Sequence, residues 1–213
     1  MKRLLLCLLV AVTLGGATRP LTEGAVRAAL TPLDKIDIGV LKAMGPAVLP
    51  HLVRIYGSTP DQSARATYAW VFYSLGWKSP EARAALLRDI DTQDQNLRLQ
   101  VQWALGRVSD DTEVVNILAN IMRNDPNALF RDKAACALAY DQIHLTEKQK
   151  VQLYGKLIDG LKDPKQQVRS ISILALKIHT GQTKGFSPDG SEETRSRAVA
   201  EWTRWLEEYE KNL

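Results

Sequence analysis

Apolar residues in this chain recur three or four positions apart, in short stretches that begin near residue 34. This spacing places them on one face of an α-helix and predicts a series of short amphipathic helices. Pro, Gly and Asp separate the stretches, as expected for turns between helices. The alternation typical of half-buried strands is absent from the pattern. The sequence therefore predicts an all-α protein.

Two kinds of helix alternate along the chain, and arginines mark the second kind at regular intervals. The four arginines are Arg65, Arg98, Arg131 and Arg169, and their spacings along the chain are 33, 33 and 38. Seven positions after them come Phe72, Leu105, Leu138 and Leu176. One helix pair cannot bury its whole apolar surface alone, so pairs repeated at such a period stack on one another. We expect an α-solenoid.

The turns between paired helices carry a more specific signal. "KDPKQQVRSISILALKI" and "NDPNALFRDKAACALAY" each contain an Asp-Pro turn, an apolar-Arg pair and an Ala-rich helix. This pattern resembles the HEAT repeat, and in particular the short HEAT-like units of bacteria. In the first two units the Asp is shifted relative to the arginine. The resemblance implies a right-handed α-solenoid of four to five HEAT-like helix pairs over residues 34–180.

The resemblance also implies a structural role for the arginines. In HEAT arrays a turn Asp and the Arg form a ladder between neighbouring units, and Arg65 and Arg98 would belong to it. The pairs that fit it here are Asp125 with Arg131 and Asp163 with Arg169. The alternative is a basic stripe that binds nucleic acid. The small net charge of +4, or +2 without Lys2 and Arg3, favours the ladder.

Aromatic residues cluster in the second helix of the first unit. Trp70, Tyr73 and Trp77 would share one face of that helix, and Trp103 occupies the position of Trp70 in the next unit. Second helices commonly line the concave surface of a solenoid, so Trp70 and Trp103 are candidates for an exposed aromatic ladder that binds a protein partner. The alternative is that both indoles pack between adjacent helices.

The start of the chain, positions 1–17, has the composition of a secretory signal peptide. A basic start is followed by an apolar run from Leu4 to Leu14 and by small residues ending at Ala17. The run is too short for a membrane span, which needs about 20 residues. We expect export and cleavage after Ala17. Cys136 would then be the only cysteine, in a helical core context, and no intramolecular disulfide is expected.

The C-terminal stretch "GFSPDGSEETRSRAVAEWTRWLEEYE" breaks the period. An EF-hand would need alternating acidic residues, which the stretch lacks, so a calcium site is disfavoured. The stretch resembles a C-terminal element of exported bacterial HEAT-like proteins, with a Ser-Pro loop and two tryptophans three residues apart. It predicts a capping helix in which Arg197, Trp202 and Trp205 close the last repeat.

Candidate catalytic chemistry is sparse. The three histidines lie in different units, and HExxH, paired-cysteine and phosphate-loop motifs are absent. We therefore expect no enzyme activity, no cofactor and no metal. The predicted organisation is a signal peptide at 1–17, a linker or cap at 18–33, repeats at 34–180, and a loop with the capping helix at 181–213.

The main functional hypothesis is an exported, monomeric scaffold that binds another protein through its concave face. Two alternatives stay open. One is a nucleic-acid-binding HEAT module, a class that includes alkyl-base DNA glycosylases, although export argues against it. The other is an accessory subunit that stabilises an exported enzyme complex. We expect no transmembrane segment after signal cleavage.

Overall fold

The computed structural model describes residues 20–141 and 145–213. The predicted signal peptide and His144 lie outside these ranges. Within them the chain is helical and without strands. The α-helices are α1 (Glu23–Ala29), α2 (Ile38–Ala43), α3 (Val48–Ser58), α4 (Gln62–Leu75), α5 (Pro80–Leu87), α6 (Gln95–Val108), α7 (Thr112–Asn124), α8 (Ala128–Cys136), α9 (Glu147–Leu161), α10 (Gln166–Thr180) and α11 (Glu192–Lys211). A 3-10 turn at Leu33–Lys35 precedes α2, and a π-helical turn at Ala137–Asp141 continues α8.

The helices form four successive pairs, which we number as repeats. The first repeat is α3 and α4, the second is α5 and α6, the third is α7 and α8, and the fourth is α9 and α10. Short helices α1 and α2 precede them, and α11 follows. This arrangement is an α-solenoid with a C-terminal helix, as the period of the sequence predicts.

Local signals set where the second helices begin. Asp61 accepts a hydrogen bond from the Ala64 amide, and Asp94 accepts one from the Leu97 amide, so both are N-caps. These are the shifted aspartates of the first two repeats. The shift therefore moves the acidic residue from the turn to the helix start, where it satisfies an otherwise unpaired N–H group.

Packing divides the helices into two layers. The second helices α4, α6, α8 and α10 contact one another in order, whereas α3 contacts α5, and α9 lies between α7 and α11. Between them lies the core, and the residue seven positions after each repeat arginine is fully buried in it. Those residues are Phe72, Leu105, Leu138 and Leu176. Burial of such side chains is the main stabilising contribution to a repeat stack.

One glycine is required by a close approach between paired helices. A Cβ on Gly160 of α9 would overlap the hydroxyl oxygen of Ser172 on α10. Any larger residue would therefore push the helices of the fourth repeat apart. None of the helices in the described ranges combines the length and apolar character needed to cross a membrane.

Candidate functional site

Three of the four repeat arginines, Arg98, Arg131 and Arg169, bind the turns of their own repeats. Arg131 donates to the carbonyl oxygens of Asp125 at 2.6 Å and Pro126 at 3.0 Å. Arg169 donates in the same way to Asp163 at 2.9 Å and Pro164 at 2.7 Å. An arginine one turn into the second helix can reach back to carbonyls five and six residues earlier. It satisfies main-chain acceptors at the turn between the helices.

All four repeat arginines reach the next unit of the stack. Each contact joins one repeat to the following repeat or, at the end, to the C-terminal loop. The contacts are Arg65 to Asp89 at 3.3 Å, Arg98 to Asp125 at 2.5 Å, Arg131 to the amide oxygen of Gln167, and Arg169 to the carbonyl oxygen of Pro188 at 2.9 Å. The four guanidinium groups therefore form a ladder that ties neighbouring units together.

The partners in this ladder differ in part from those expected. Asp125 with Arg131 and Asp163 with Arg169 do contact each other, but through the main-chain carbonyls of the aspartates. The carboxylate of Asp125 instead pairs with Arg98 of the preceding repeat. The expected pairing within one repeat is wrong for that carboxylate, because it faces the preceding repeat and its own arginine reaches only the turn backbone.

The arginines of the ladder are not available to bind a phosphate ligand. Arg131 and Arg169 are each 8% exposed, and their donors are directed at protein oxygens. A guanidinium committed in this way does not present its donors to phosphate. These arginines therefore do not form the basic stripe that nucleic acid would require.

The aromatic candidates on the second helices differ in exposure. Trp70 is 36% exposed, whereas Tyr73, Trp77 and Trp103 are partly buried against the core. Tyr73 stacks on Trp103 with ring centres 5.4 Å apart and planes inclined by 18°. The Lys133 ammonium lies 3.1 Å from the centre of the Trp103 ring.

These contacts correct the expectation of an exposed ladder formed by Trp70 and Trp103. The Trp103 ring is covered by a side chain from each neighbouring second helix, Tyr73 from α4 and Lys133 from α8. Only Trp70 of the two offers a substantially exposed indole. Trp103 and Tyr73 therefore bind the second helices to one another, with cation–π attraction adding to the stacking.

Further along the second-helix layer the surface becomes apolar. A shallow groove, with an accessible volume of only about 10 Å³, runs between α8 and α10. Tyr140 is 54% exposed and Leu174 is 50% exposed on its two sides. Its lining residues are Asp132, Ala135, Cys136, Ala139, Tyr140, Ile171, Leu174, Ala175 and Ile178. Leu174 occupies the same repeat position as Trp70, five residues after the arginine, so exposed apolar side chains lie in both the first and the fourth repeat.

The sequence did not single out this groove. The sequence does show that Cys136 and Leu174 occupy the repeat position of Trp70 and Trp103, five residues after the arginine. Tyr140 lies one helical turn beyond Cys136, but the π-helical turn at Ala137–Asp141 changes the register there. A π-turn of this kind is common at functional sites and is not visible in the apolar pattern.

The C-terminal helix packs on α9 by means of its aromatic residues. Trp202 is fully buried, and its indole N–H donates to the Thr183 carbonyl at 3.2 Å. Trp205 and Tyr209 both contact the ring of Tyr154 on α9. Lys184 lies over the rings of Trp202 and Trp205. These rings cover the end of the fourth repeat.

The arginine of this helix is not the expected one. Arg197 is exposed and pairs with Glu193 on its own helix at 3.8 Å. Arg195 instead donates to the Gly190 carbonyl five residues earlier, the contact that Arg131 and Arg169 make in their repeats. Trp202 follows Arg195 by seven positions, which is the spacing of the buried core residue. The prediction that Arg197 is the capping arginine is therefore wrong. The arginine that makes this contact is Arg195, two positions earlier.

Two histidines lie in the described part of the chain, in unrelated surroundings. His51 contacts Arg54 on the surface of α3. His179 lies 3.0 Å from the Leu138 carbonyl and edge-on to Tyr154. Burial lowers the pKa of His179, and the nearby Lys150 acts in the same direction against the hydrogen bond to Leu138. Among the described residues no group of three or more His, Cys, Asp or Glu side chains is placed to hold a metal ion.

The class of protein follows from the helix pairs and from the arginine contacts that join neighbouring repeats: it is an α-solenoid. Residues 49–139 match the family model of HEAT repeats. The resemblance to the HEAT family is thereby confirmed over the first three repeats, and the fourth repeats their arginine contacts. No curated protein matches the chain. HEAT repeats are commonly scaffolds for protein interaction.

Proposed function

We propose that this protein is an exported, non-catalytic HEAT-repeat scaffold that binds another protein through its second-helix face, the concave side of the solenoid. The observation that carries the proposal is the distribution of exposed apolar side chains. Trp70, Tyr140 and Leu174 are all on second helices and are 36%, 54% and 50% exposed. Large exposed apolar side chains that share one face favour a protein-binding surface.

The charges of the described residues support a protein partner over nucleic acid. Nucleic-acid affinity depends on cations that are available to phosphate. The repeat arginines donate to protein oxygens, and Arg83 and Lys78 pair with Asp111 and Asp110. Export is proposed from the composition of the stretch at positions 1–17.

The experiment that tests the proposal is quantitative recovery of a partner from the envelope fraction of host cells. The bait is the full chain, and the variants are Trp70→Ser and Leu174→Gln, each compared with Leu33→Gln. Leu33 is a matched control because it is 38% exposed and lies in the 3-10 turn before α2, outside the second helices of the repeats. Because all three side chains are exposed, the variants should keep the helicity of the wild type.

We expect recovery of the partner to fall in the Trp70 and Leu174 variants and to stay unchanged in the Leu33 variant. Equal recovery in all variants would contradict the assignment of the binding face. Recovery of nucleic acid in place of protein, lost at high salt, would instead support the nucleic-acid alternative.

A further inference from the structure

A polar cavity lies between α7 and α9, the first helices of the third and fourth repeats. Its volume is about 150 Å³, which is about ten times the roughly 10 to 15 Å³ that one water molecule needs. A group of several heavy atoms therefore fits in it. The lining residues are Asn116, Ala119, Asn120, Arg123 and Asn124 of α7 and Lys156 of α9.

The two cations of this cavity have no acidic partner. Arg123 and Lys156 are both partly exposed, and neither makes a hydrogen bond or an ion pair with any residue in the described ranges. The Nε–H group of Arg123 is buried without an acceptor. Arg83, another partly exposed arginine on a first helix, pairs with the carboxylate of Asp111. The cavity therefore carries two positive charges that the protein does not neutralise.

The acidic side chains of α7 and α9 are committed elsewhere. Glu113, at the start of α7, lies 4.0 Å from an arginine of the preceding repeat. On α9, Glu147 pairs with Lys150 at 2.6 Å. Asp159 pairs with Lys162 at 3.1 Å. No carboxylate of these two helices is therefore left to occupy the cavity, and its charge favours a bound anion.

The asparagines add hydrogen-bond donors to the cavity. Asn116, Asn120 and Asn124 follow one another at four-residue intervals, so they lie along one face of α7. The Asn124 amide donates to the side-chain oxygen of Asn120 at 2.7 Å, which leaves the NH₂ group of Asn120 to donate elsewhere. Guanidinium, ammonium and amide N–H groups are all donors that a phosphate oxygen accepts.

We propose that the cavity between α7 and α9 binds a phosphate group, carried by a free phosphate ion or by a phosphate monoester. A phosphate dianion has the two negative charges that match Arg123 and Lys156, whereas a carboxylate has one. The planar guanidinium of Arg123 can donate to two phosphate oxygens, and Lys156 supplies the second charge from the next repeat. A bound phosphate therefore joins the third and fourth repeats. One such site is not the extended stripe that nucleic acid requires.

The test is a titration of the full chain with sodium phosphate and with glycerol 3-phosphate, followed by the side-chain amide NMR signals of Asn116, Asn120 and Asn124. We expect saturable shifts of these signals. Binding of phosphate should be stronger at pH 7.5 than at pH 5.5, because the second proton is lost with a pKa of about 6. Sulfate is a dianion at both pH values and should bind equally at both. Tighter binding of glycerol 3-phosphate assigns the site to a monoester, and equal binding assigns it to free phosphate.

Variants assign the binding to the cavity. Arg123→Gln and Lys156→Gln should each weaken phosphate binding by about fivefold or more, because each removes one charge-assisted contact. Lys177→Gln removes an exposed lysine from α10, in the other helix layer, and should bind phosphate as the wild type does. Phosphate should raise the Tm of the wild type and of Lys177→Gln by more than it raises the Tm of either cavity variant.

The amide shifts are measured in the wild-type protein, so they test the site even where a variant is unstable. Absence of saturable shifts, tighter binding of acetate than of phosphate, or equal weakening by Lys177→Gln and the two cavity variants would overturn the inference. The proposed function is tested separately, since it depends on Trp70 and Leu174 in the second-helix face and not on phosphate.

Discussion

Asp125 of the third repeat accepts a hydrogen bond at 2.5 Å from Arg98 of the second repeat, and its side chain is only 5% exposed. The same carboxylate accepts a hydrogen bond from the Asn127 amide at 2.8 Å. Arg98 in turn donates to the Ile90 carbonyl of its own turn at 2.9 Å. A single ion pair therefore connects the turns of two successive repeats.

Removing either partner of this pair should destabilise the stack. Asp125→Ala leaves the largely buried Arg98 guanidinium with only the exposed Asp91 carboxylate, 3.7 Å away, and loss of the buried partner should cost about 3 kcal/mol of unfolding free energy. In a double-mutant cycle with Arg98→Ala, we expect a coupling energy of about 1 to 3 kcal/mol from urea unfolding. The exposed pair Arg197 and Glu193 is the control and should show no measurable coupling. Additive effects of Arg98→Ala and Asp125→Ala would contradict the inter-repeat role.

Arg169 should be important for holding the C-terminal loop against the fourth repeat. Its guanidinium donates to three carbonyl oxygens, of Asp163, Pro164 and Pro188. Arg169→Ala removes three hydrogen bonds made by a buried guanidinium to partly buried acceptors and should lower the unfolding free energy by about 2 to 3 kcal/mol, seen as a lower Tm. Arg204→Ala, an exposed arginine paired with Glu201 on its own helix, is the matched control. A Tm shift of the same size in both variants would argue against the proposed contacts.

Trp202 should contribute strongly to the docking of α11. It is fully buried and donates to Thr183, so Trp202→Ala should lower the unfolding free energy by about 3 to 5 kcal/mol. Trp202→Phe should lose less, because it keeps the ring packing and removes the N–H donor. Hydrogen exchange should accelerate in α9 and α11 of the alanine variant. Protection unchanged in α9 would show that the helix does not cap the repeat.

Burial of His179 should lower the unfolding free energy of the protein at mildly acidic pH. Its pKa is lowered by burial, so the unfolded chain, in which the pKa is about 6.5, binds the proton more readily. Stability from the neutral imidazole is therefore complete above pH 6.5 and declines as the pH falls below it. Urea unfolding at pH 7.5 and pH 5.5 should show a smaller pH dependence in His179→Gln than in the wild type. His51→Gln is the control, and an equal effect of both variants would exclude His179 as the cause.

The repeat period predicted much of the fold, for a physical reason. Each repeat must bury the same stripe, so Phe72 and Leu105 recur at a fixed distance from their arginines and reveal the unit length. The same rule carried further would have identified Arg195, since it precedes the buried Trp202 by seven residues. Arg197 precedes Trp202 by only five residues, which is the spacing of the partly exposed Trp70 from Arg65 and not that of the buried core residue.

Side-chain partners between repeats were harder to predict. Arg98 pairs with Asp91 of its own turn at 3.7 Å, but its shorter contact, at 2.5 Å, is to Asp125 in the next repeat, which lies 27 residues away in the sequence. Trp103 was a candidate for exposure because its repeat position is that of Trp70. Its ring is covered by Lys133, whose position only packing between repeats determines. The apolar groove depends in addition on a π-helical turn that the apolar pattern does not encode.

The most direct measurement of the central claim is site-specific photo-cross-linking in host cells. A photoreactive phenylalanine analogue replaces Trp70 or Leu174 on the second-helix face, or Asn120 on the exposed surface of α7. We predict that the same partner protein cross-links from positions 70 and 174 and does not cross-link from position 120. A partner captured from position 120 and absent from positions 70 and 174 would contradict the account.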